Sequence, residues 1–281
     1  MVQRMGKKSL LITGCSSGIG LDAALTLHER GWRVFATCRR QKDCDNLKLK
    51  GLESFVLDYE NPTSISVALK HLISLTGGTL DALFNNGAYA IPGAVEDLSR
   101  DALKQNFEAN VFGWHDLIIQ VLPIMRAQGY GRIINCSSVL GFVPIPWRGS
   151  YVATKYAIEG LTETLRLEMN DTDIKIILLQ PGPISSKFRQ NAIAGFETWI
   201  DWRKSPRREQ YQSELIKRLY DSSQKKDKFE LPPSSVTKKL IKALEDPFPK
   251  SKYLITLPTY AAAISKRILP NNWFEKILLR K

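Results

Sequence analysis

Six short apolar or β-branched runs alternate with longer stretches of helical spacing over the first 180 residues. That alternation restricts the fold more than any other feature of the chain. The runs Ser9–Thr13, Arg33–Thr37, Phe55–Leu57, Ala82–Asn85, Arg132–Cys136 and Lys175–Gln180 read as strands. Between them, Ile19–Arg30, Thr63–Thr76, Ser99–Ala127 and Ser150–Met169 carry helical periodicity, as at Ile65, Leu69, Leu72 and Ile73. Pro123 should bend or shorten the third of these helices. A strand–helix repeat predicts a parallel sheet with helices on both faces, and right-handed crossovers make it a doubly wound, Rossmann-like α/β fold. Past strand six the rhythm breaks. Arg203–Pro233 is polar and charged with no clear strand, and a last strand is predicted at Tyr253–Ile255. No linker or internal repeat separates a second domain. The chain therefore reads as one domain over 1–257, with a helical extension over 258–281.

Gly14, Gly18 and Gly20 stand between the first strand and the first helix, in Thr13-Gly-Cys-Ser-Ser-Gly-Ile-Gly20. Glycines at such a turn let the backbone approach a ligand closely, and the helix that follows offers free N–H groups and a positive dipole end to a pyrophosphate. The turn of Gly14, Ser16, Ser17, Gly18, Ile19 and Gly20 is thus a candidate dinucleotide site, although glycines also mark ordinary loops. About 20 residues later an NAD site would place a carboxylate for the ribose 2′-hydroxyl. Here Cys38 stands at that point, followed by Arg39 and Arg40. A guanidinium suits a 2′-phosphate, which a carboxylate would repel. NADP(H) is the expected cofactor, with Arg39 the first candidate contact and Arg40 the second. A pair of surface arginines at a strand end is the alternative.

Tyr151 and Lys155 lie four residues apart on a predicted helix, so both project from one face. A free phenol, with pKa near 10, is a poor base at neutrality. An ammonium about 4 Å away contributes roughly 4 kcal/mol at an effective dielectric near 20, or about three pKa units at most. Such a tyrosine could protonate an alkoxide or deprotonate an alcohol. Tyr and Lys at this spacing are common by chance, so the surroundings decide. Ser138 closes the fifth strand, thirteen residues before Tyr151. It falls at the carboxyl edge of a parallel sheet, where ligands bind.

With these motifs in order, the chain from Ser9 to about Arg189 resembles the short-chain dehydrogenase/reductase family, on its TGxxxGxG and YxxxK branch. The resemblance implies that Ser138 orients the substrate, Tyr151 is the acid/base, and Lys155 lowers its pKa and holds the nicotinamide ribose. It further implies that Asn110, in Asn110-Val-Phe-Gly113, holds a water in the proton relay. Asn85-Asn86-Gly87-Ala88 resembles the family's NNAG, implying that Asn86 and Gly87 lie beside the cofactor, and inverts its Ala-Gly order. Pro181, Gly182 and Ile184 match the loop that touches the carboxamide, and Asp58 the acidic residue near the adenine. Strings such as Trp147-Arg-Gly-Ser-Tyr151 are similar to bacterial NADP-dependent aldehyde reductases and the neighbouring retinol and hydroxysteroid dehydrogenases. A fairly apolar aldehyde, ketone or alcohol is then the expected substrate, bound near a loop region at about 185–235. Trp147, Phe196 and Trp199 are pocket walls on this view, or ordinary core. The resemblance also implies homodimers or homotetramers built on long helices.

Composition is ordinary for a globular chain, at 43% hydrophobic and 24% charged, and excludes disordered and fibrous classes. No apolar run approaches the roughly 20 residues that span a bilayer. Arg4, Lys7 and Lys8 precede only the short run Leu10–Ile12, so no export signal is expected. Cys15, Cys38, Cys44 and Cys136 show neither paired nor metal-ligand spacing, which fits reduced thiols in a cytoplasmic protein and no metal.

Charge is concentrated late. Of the net +12, residues from Asp201 onward contribute +10, from 19 basic and 9 acidic residues. The extension reads as two short helices split at Pro270. Tyr260, Ile264, Ile268, Leu269, Trp273, Phe274, Ile277 and Leu278 are flanked by Lys266, Arg267, Lys276, Arg280 and Lys281. Peripheral contact with an anionic membrane is one use for such a segment. Packing over the cleft or a second subunit is another, and nucleic acid is not expected.

Two other functions stay open. A catalytically silent sensor or scaffold would need the dinucleotide site but not Asn110, Ser138, Tyr151 and Lys155 together. An epimerase or dehydratase would use YxxxK, but with a larger substrate domain than this chain has room for.

Overall fold

The computed structural model describes residues 7–221, 223 and 227–279. Seven strands form one sheet: β1 (Ser9–Ile12), β2 (Arg33–Cys38), β3 (Glu53–Val56), β4 (Ala82–Asn85), β5 (Gly131–Cys136), β6 (Ile174–Pro181) and β7 (Lys252–Ile255). Their order is β3-β2-β1-β4-β5-β6-β7, and every neighbouring pair is parallel. This is the predicted doubly wound fold. Because β1 and β4 meet at the centre of the order, their carboxyl ends flank the point where the winding reverses, which is where such sheets bind ligands. The central strands are buried on both faces, which explains their near-continuous apolar sequence: Leu10, Leu11, Ile12, Leu83 and Phe84 are fully buried.

The helices are α1 (Gly18–Glu29), α2 (Gln41–Lys48), α3 (Pro62–Thr76), α4 (Arg100–Phe107), α5 (Gly113–Gln128), α6 (Gly149–Glu168) and α7 (Phe188–Trp199). Two short turns, α8 (Arg208–Gln210) and α9 (Lys217–Leu219), are followed by α10 (Ser234–Glu245), α11 (Leu257–Ile268) and α12 (Asn271–Leu279). Local chemistry sets several ends. At α3, the Asn61 side chain accepts from Ser64 N at 3.2 Å, Pro62 occupies the first turn, and Gly77 closes the helix at φ +66°.

The predicted helix Ser99–Ala127 is observed as α4, a π turn at Glu108–Phe112 and α5, running on without a gap. Pro123 lies inside α5 and does not end it. Three of the longer helices escaped prediction: α7, whose stretch reads only as aromatic pocket wall, α2 and α10. α2 is short and polar, with only Cys44 and Leu47 buried. α10 packs its buried face, Val236, Leu240, Ala243 and Leu244, on α1, β6 and β7. Among its described residues the stretch Arg203–Pro233 has no strand, as expected, but it holds helical turns around a π segment, Tyr211–Ile216, anchored by the buried Tyr211 and Leu215. The tail forms two helices, as predicted. Arg4, Arg280 and Lys281 lie outside the described residues.

Candidate active site

The glycine turn is built by contact. Gly14 and Gly18 have φ of +68° and +58°, in the region that favours glycine. A Cβ on Gly14 would stand 2.6 Å from the Gly87 Cα, and one on Gly20 would stand 2.4 Å from the Gly14 oxygen. Gly87 thus faces Gly14 across the sheet edge, and the contact demands glycine at 14; a Cβ on Gly87 itself would come no nearer than 3.3 Å to any neighbour, so the inverted Gly-Ala order is not explained by it. Ser17 caps α1 without any side-chain bond, so it leaves the first-turn N–H groups of Gly18, Ile19 and Gly20 without a side-chain acceptor from the cap. Ser16 is exposed beside them.

A buried polar chain ties this edge together. Tyr59 OH donates to Thr13 Oγ1 at 2.8 Å and lies 2.7 Å from Asn85 Oδ1. Asn85 Nδ2 donates to Asn135 Oδ1 at 2.9 Å, and Asn135 Nδ2 to Thr162 Oγ1 at 2.9 Å. Asn86 Nδ2 donates to the Thr13 oxygen at 3.0 Å, while its main-chain N–H bonds Thr13 Oγ1 at 2.9 Å. Asn86 and Gly87 are therefore fixed against the glycine turn.

Arg39 and Arg40 follow β2 and are exposed. Arg39 makes one loose ion pair, 3.9 Å from Glu60, and its side chain keeps 56% of its exposure. Asp58 sits one strand over, with Oδ1 accepting from Glu60 N at 3.1 Å. Cys38 is buried, and its thiol is pushed up to about 12 by desolvation and the nearby Cys44.

At the reaction end, Tyr151 and Lys155 are both buried on the first turns of α6. Lys155 Nζ donates to the Cys136 carbonyl at 2.9 Å, stands 4.2 Å from the Trp114 ring centroid and 5.5 Å from that of Tyr151. Burial lowers its pKa to about 8, against the pull of Cys136 and Glu159. Burial also raises the Tyr151 phenol above its ordinary range, and the neighbouring Cys136 thiol adds to this. A hydrogen bond with Ser138 and the charge of Arg148 act the other way. The Lys155 ammonium itself is turned to the Cys136 main-chain carbonyl.

Ser138 follows β5 and accepts from Leu140 N at 3.1 Å. Asn110 sits in the π turn, fully buried, with Oδ1 accepting from Tyr89 N at 3.1 Å and Nδ2 donating to Tyr89 O at 2.8 Å. Nδ2 also reaches Thr154 Oγ1 at 3.2 Å, so the Asn110 side chain ties the loop after β4 to α6. Pro181 ends β6, and Gly182 and Ile184 follow it at the same edge. A Cβ on Gly182 would meet Thr256 Oγ1 at 2.2 Å, so the loop there is pressed onto the start of α11.

A second apolar cluster covers Tyr151. Phe188 meets the Tyr151 ring edge-on at 5.1 Å, and Phe196, Tyr211 and Leu215 are buried behind it. Phe196 is core of this cluster and not an open wall. Trp147 and Trp199 are partly buried against the cluster, and Trp147, at φ +65°, packs 4.8 Å from Tyr211. Sequence reasoning missed Trp114, Tyr59 and Arg148. Trp114 Nε1 donates to Gly87 O at 2.8 Å. Nothing local singles out Trp114 or Tyr59, because each acts across more than 25 residues. Arg148 was in view, three residues before Tyr151. It is largely buried, burial and the charges of Arg218 and Arg189 lower its pKa to about 10, and its Nη1 finds no partner among the described residues.

Among the described residues no His, Cys, Asp and Glu cluster could hold a metal. All four cysteines are free and buried.

The sequence profile of short chain dehydrogenases matches residues 8–195. The chain is 37% identical over 272 residues to the uncharacterized oxidoreductase YbbO of Escherichia coli K12, covering 97% of this chain and 94% of that protein. It is 33% identical over 195 residues to human retinol dehydrogenase 8, covering 66% and 62% of the two chains. Among solved structures, a short-chain dehydrogenase/reductase of Burkholderia phymatum in complex with NAD superposes with a TM-score of 0.77 at 22% identity, over 98% of this chain and 96% of that one.

Proposed function

The chain belongs to the short-chain dehydrogenase family, and on that premise we propose an NADP(H)-dependent oxidoreductase acting on a fairly apolar aldehyde, ketone or alcohol. The observation that carries this reading is the meeting of Ser138, Tyr151 and Lys155 at the same sheet edge as the glycine turn.

The residues present fit a nicotinamide dinucleotide. The turn at Gly14, Gly18 and Gly20 has no room for side chains, and its helix end offers N–H donors. Arg39 holds its loose Glu60 contact weakly enough to take a phosphate, and no carboxylate replaces Cys38 to favour a 2′-hydroxyl. Arg40 and Asp58 would border the adenosine end, with Asn86, Gly87, Pro181, Gly182 and Ile184 along the rest. When bound, the nicotinamide supplies or accepts the hydride.

The chain's own groups manage the proton. A phenol raised above its usual range stays protonated at neutral pH, so Tyr151 can give its proton to the oxygen of a carbonyl being reduced. Ser138 directs a hydroxyl at the same oxygen. Lys155, with its pKa near 8, is close enough to neutrality to hand on a proton, and Asn110 fixes the loop and helix between which that transfer occurs. The apolar cluster behind Phe188 excludes water and favours an apolar substrate. The family's retinol dehydrogenase is named for such a substrate.

Assembly as a homodimer or homotetramer is part of the proposal, checked by sedimentation equilibrium. Four buried free thiols fit a reducing compartment. The test of function is an NADPH-oxidation screen over aliphatic, aromatic, retinoid and steroid carbonyls. Turnover of apolar carbonyls is expected. A folded protein that binds NADPH and oxidises it with none of them would be a silent binder.

A further inference from the structure

We propose that α11 and α12 form a docking face for an anionic lipid surface, an inference that goes beyond the assigned reaction and does not depend on it. On α11, Leu257, Tyr260, Ile264 and Ile268 recur at intervals of three and four residues, and all are exposed, Ile268 to 74%. On α12, Trp273 and Ile277 are exposed four residues apart, while Phe274 is buried. The two helices thus bury little and leave apolar stripes outward. Isolated exposed hydrophobics need no explanation, but a contiguous set with charged flanks marks an interaction surface.

Charge chooses the occupant. Over residues 257–281 the sequence has five basic residues against one acid, Glu275. Arg267 and Lys276 are exposed beside the apolar stripes. An anionic bilayer surface satisfies both features at once: the stripe enters the acyl boundary and the cations meet headgroups. A second copy of the chain would bring the same cationic face, with like charges opposed. A nucleic acid would leave the apolar stripe in water. No helix among the described residues is long and apolar enough to cross a membrane, so the contact is peripheral.

The face is also fixed relative to the reaction site. Thr256 and Thr259, at the start of α11, press on Gly182, and Lys266 Nζ donates to the Phe142 carbonyl in the segment after Ser138. A surface seated on α11 would therefore lie beside the loops that carry Gly182 and Phe142.

The experiment is co-sedimentation of the full chain with vesicles of phosphatidylcholine, alone or mixed with phosphatidylglycerol. Binding to the anionic vesicles is expected to be at least about tenfold stronger and to weaken as salt rises. Ile264→Glu with Trp273→Glu, and separately Arg267→Glu with Lys276→Glu, should each reduce binding about tenfold or more. Both variants should keep wild-type NADPH oxidation with a water-soluble aldehyde, which separates this inference from the reaction. Absent binding, equal binding to both vesicle types, or unchanged binding by either variant would overturn it. So would a change of oligomeric mass in Ile264→Glu, which would give the face to a second copy.

Discussion

Lys155 Nζ donates to the Cys136 carbonyl at 2.9 Å, so the one buried ammonium of the site is tied to the last residue of β5, two positions before Ser138. This bond aligns α6 with the strand that delivers Ser138. It also places a cation where burial disfavours charge.

That burial makes a stability prediction. The folded pKa of Lys155 is about 8, below its ordinary 10.5. Below pH 8 both folded and unfolded chains carry the proton, and the fold bears the full cost of burying it. As pH rises from about 8 to 10.5 the folded lysine deprotonates first, and the cost is relieved. Lys155→Met has no such cost at any pH. Its stability relative to wild type should therefore be greater at pH 7 than at pH 10, by on the order of 2 kcal/mol. Urea unfolding at the two pH values checks this, and a pH-independent difference would contradict it.

Arg39→Asp should move cofactor preference from NADPH toward NADH. A charge-assisted bond to a phosphate contributes about 1.5–3 kcal/mol, so the ratio of kcat/KM values should shift by roughly ten- to a hundredfold. Losing the Glu60 contact costs the fold little, because the pair is 3.9 Å apart and the Arg39 side chain is exposed. An unchanged ratio would remove Arg39 from the cofactor site.

Gly20→Ala places a methyl 2.4 Å from the Gly14 oxygen and 2.8 Å from Asn86 Nδ2. The backbone of the turn must shift, costing about 1–3 kcal/mol and weakening dinucleotide binding. Gly160→Ala is the control, since its Cβ would meet nothing within 4 Å. Denaturant midpoints and a fluorescence titration with NADPH should separate the two variants.

The parts of this architecture written in local patterns were legible before any coordinates. β4 was placed to the residue, and the strand after each helix announced itself through apolar runs buried on both faces. α2 was not legible, since a short polar helix with two buried residues has almost no periodicity. Within the site, Gly14, Ser138, Tyr151 and Lys155 stood out because motif spacing is local. Tyr59 and Trp114 did not, because their bonds to Thr13 and Gly87 depend on the sheet bringing distant loops together. The burial of Tyr151 was not legible for the same reason. Spacing supplies a cation one helical turn away, whereas the depth of burial is a property of α7 and the cluster behind Phe188.

The pH profile follows from that burial. With the Tyr151 phenol above its ordinary range, reduction needs the protonated form, which persists through neutrality. Carbonyl reduction should hold steady near neutral pH and fall as alkali removes the protons of Lys155 and Tyr151. Alcohol oxidation, which needs the phenolate, should rise with pH over the same range. Initial rates in both directions test the sign.

The central claim is that the Tyr151 hydroxyl moves the proton. Tyr151→Phe keeps the ring that packs on Phe188 at 5.1 Å and removes only the oxygen. The deciding measurement is NADPH oxidation by this variant on the best carbonyl of the screen, alongside its NADPH affinity. Turnover should fall by about 10²–10⁴-fold with affinity nearly intact. Turnover close to wild type, with the variant folded and NADPH bound, would contradict the account.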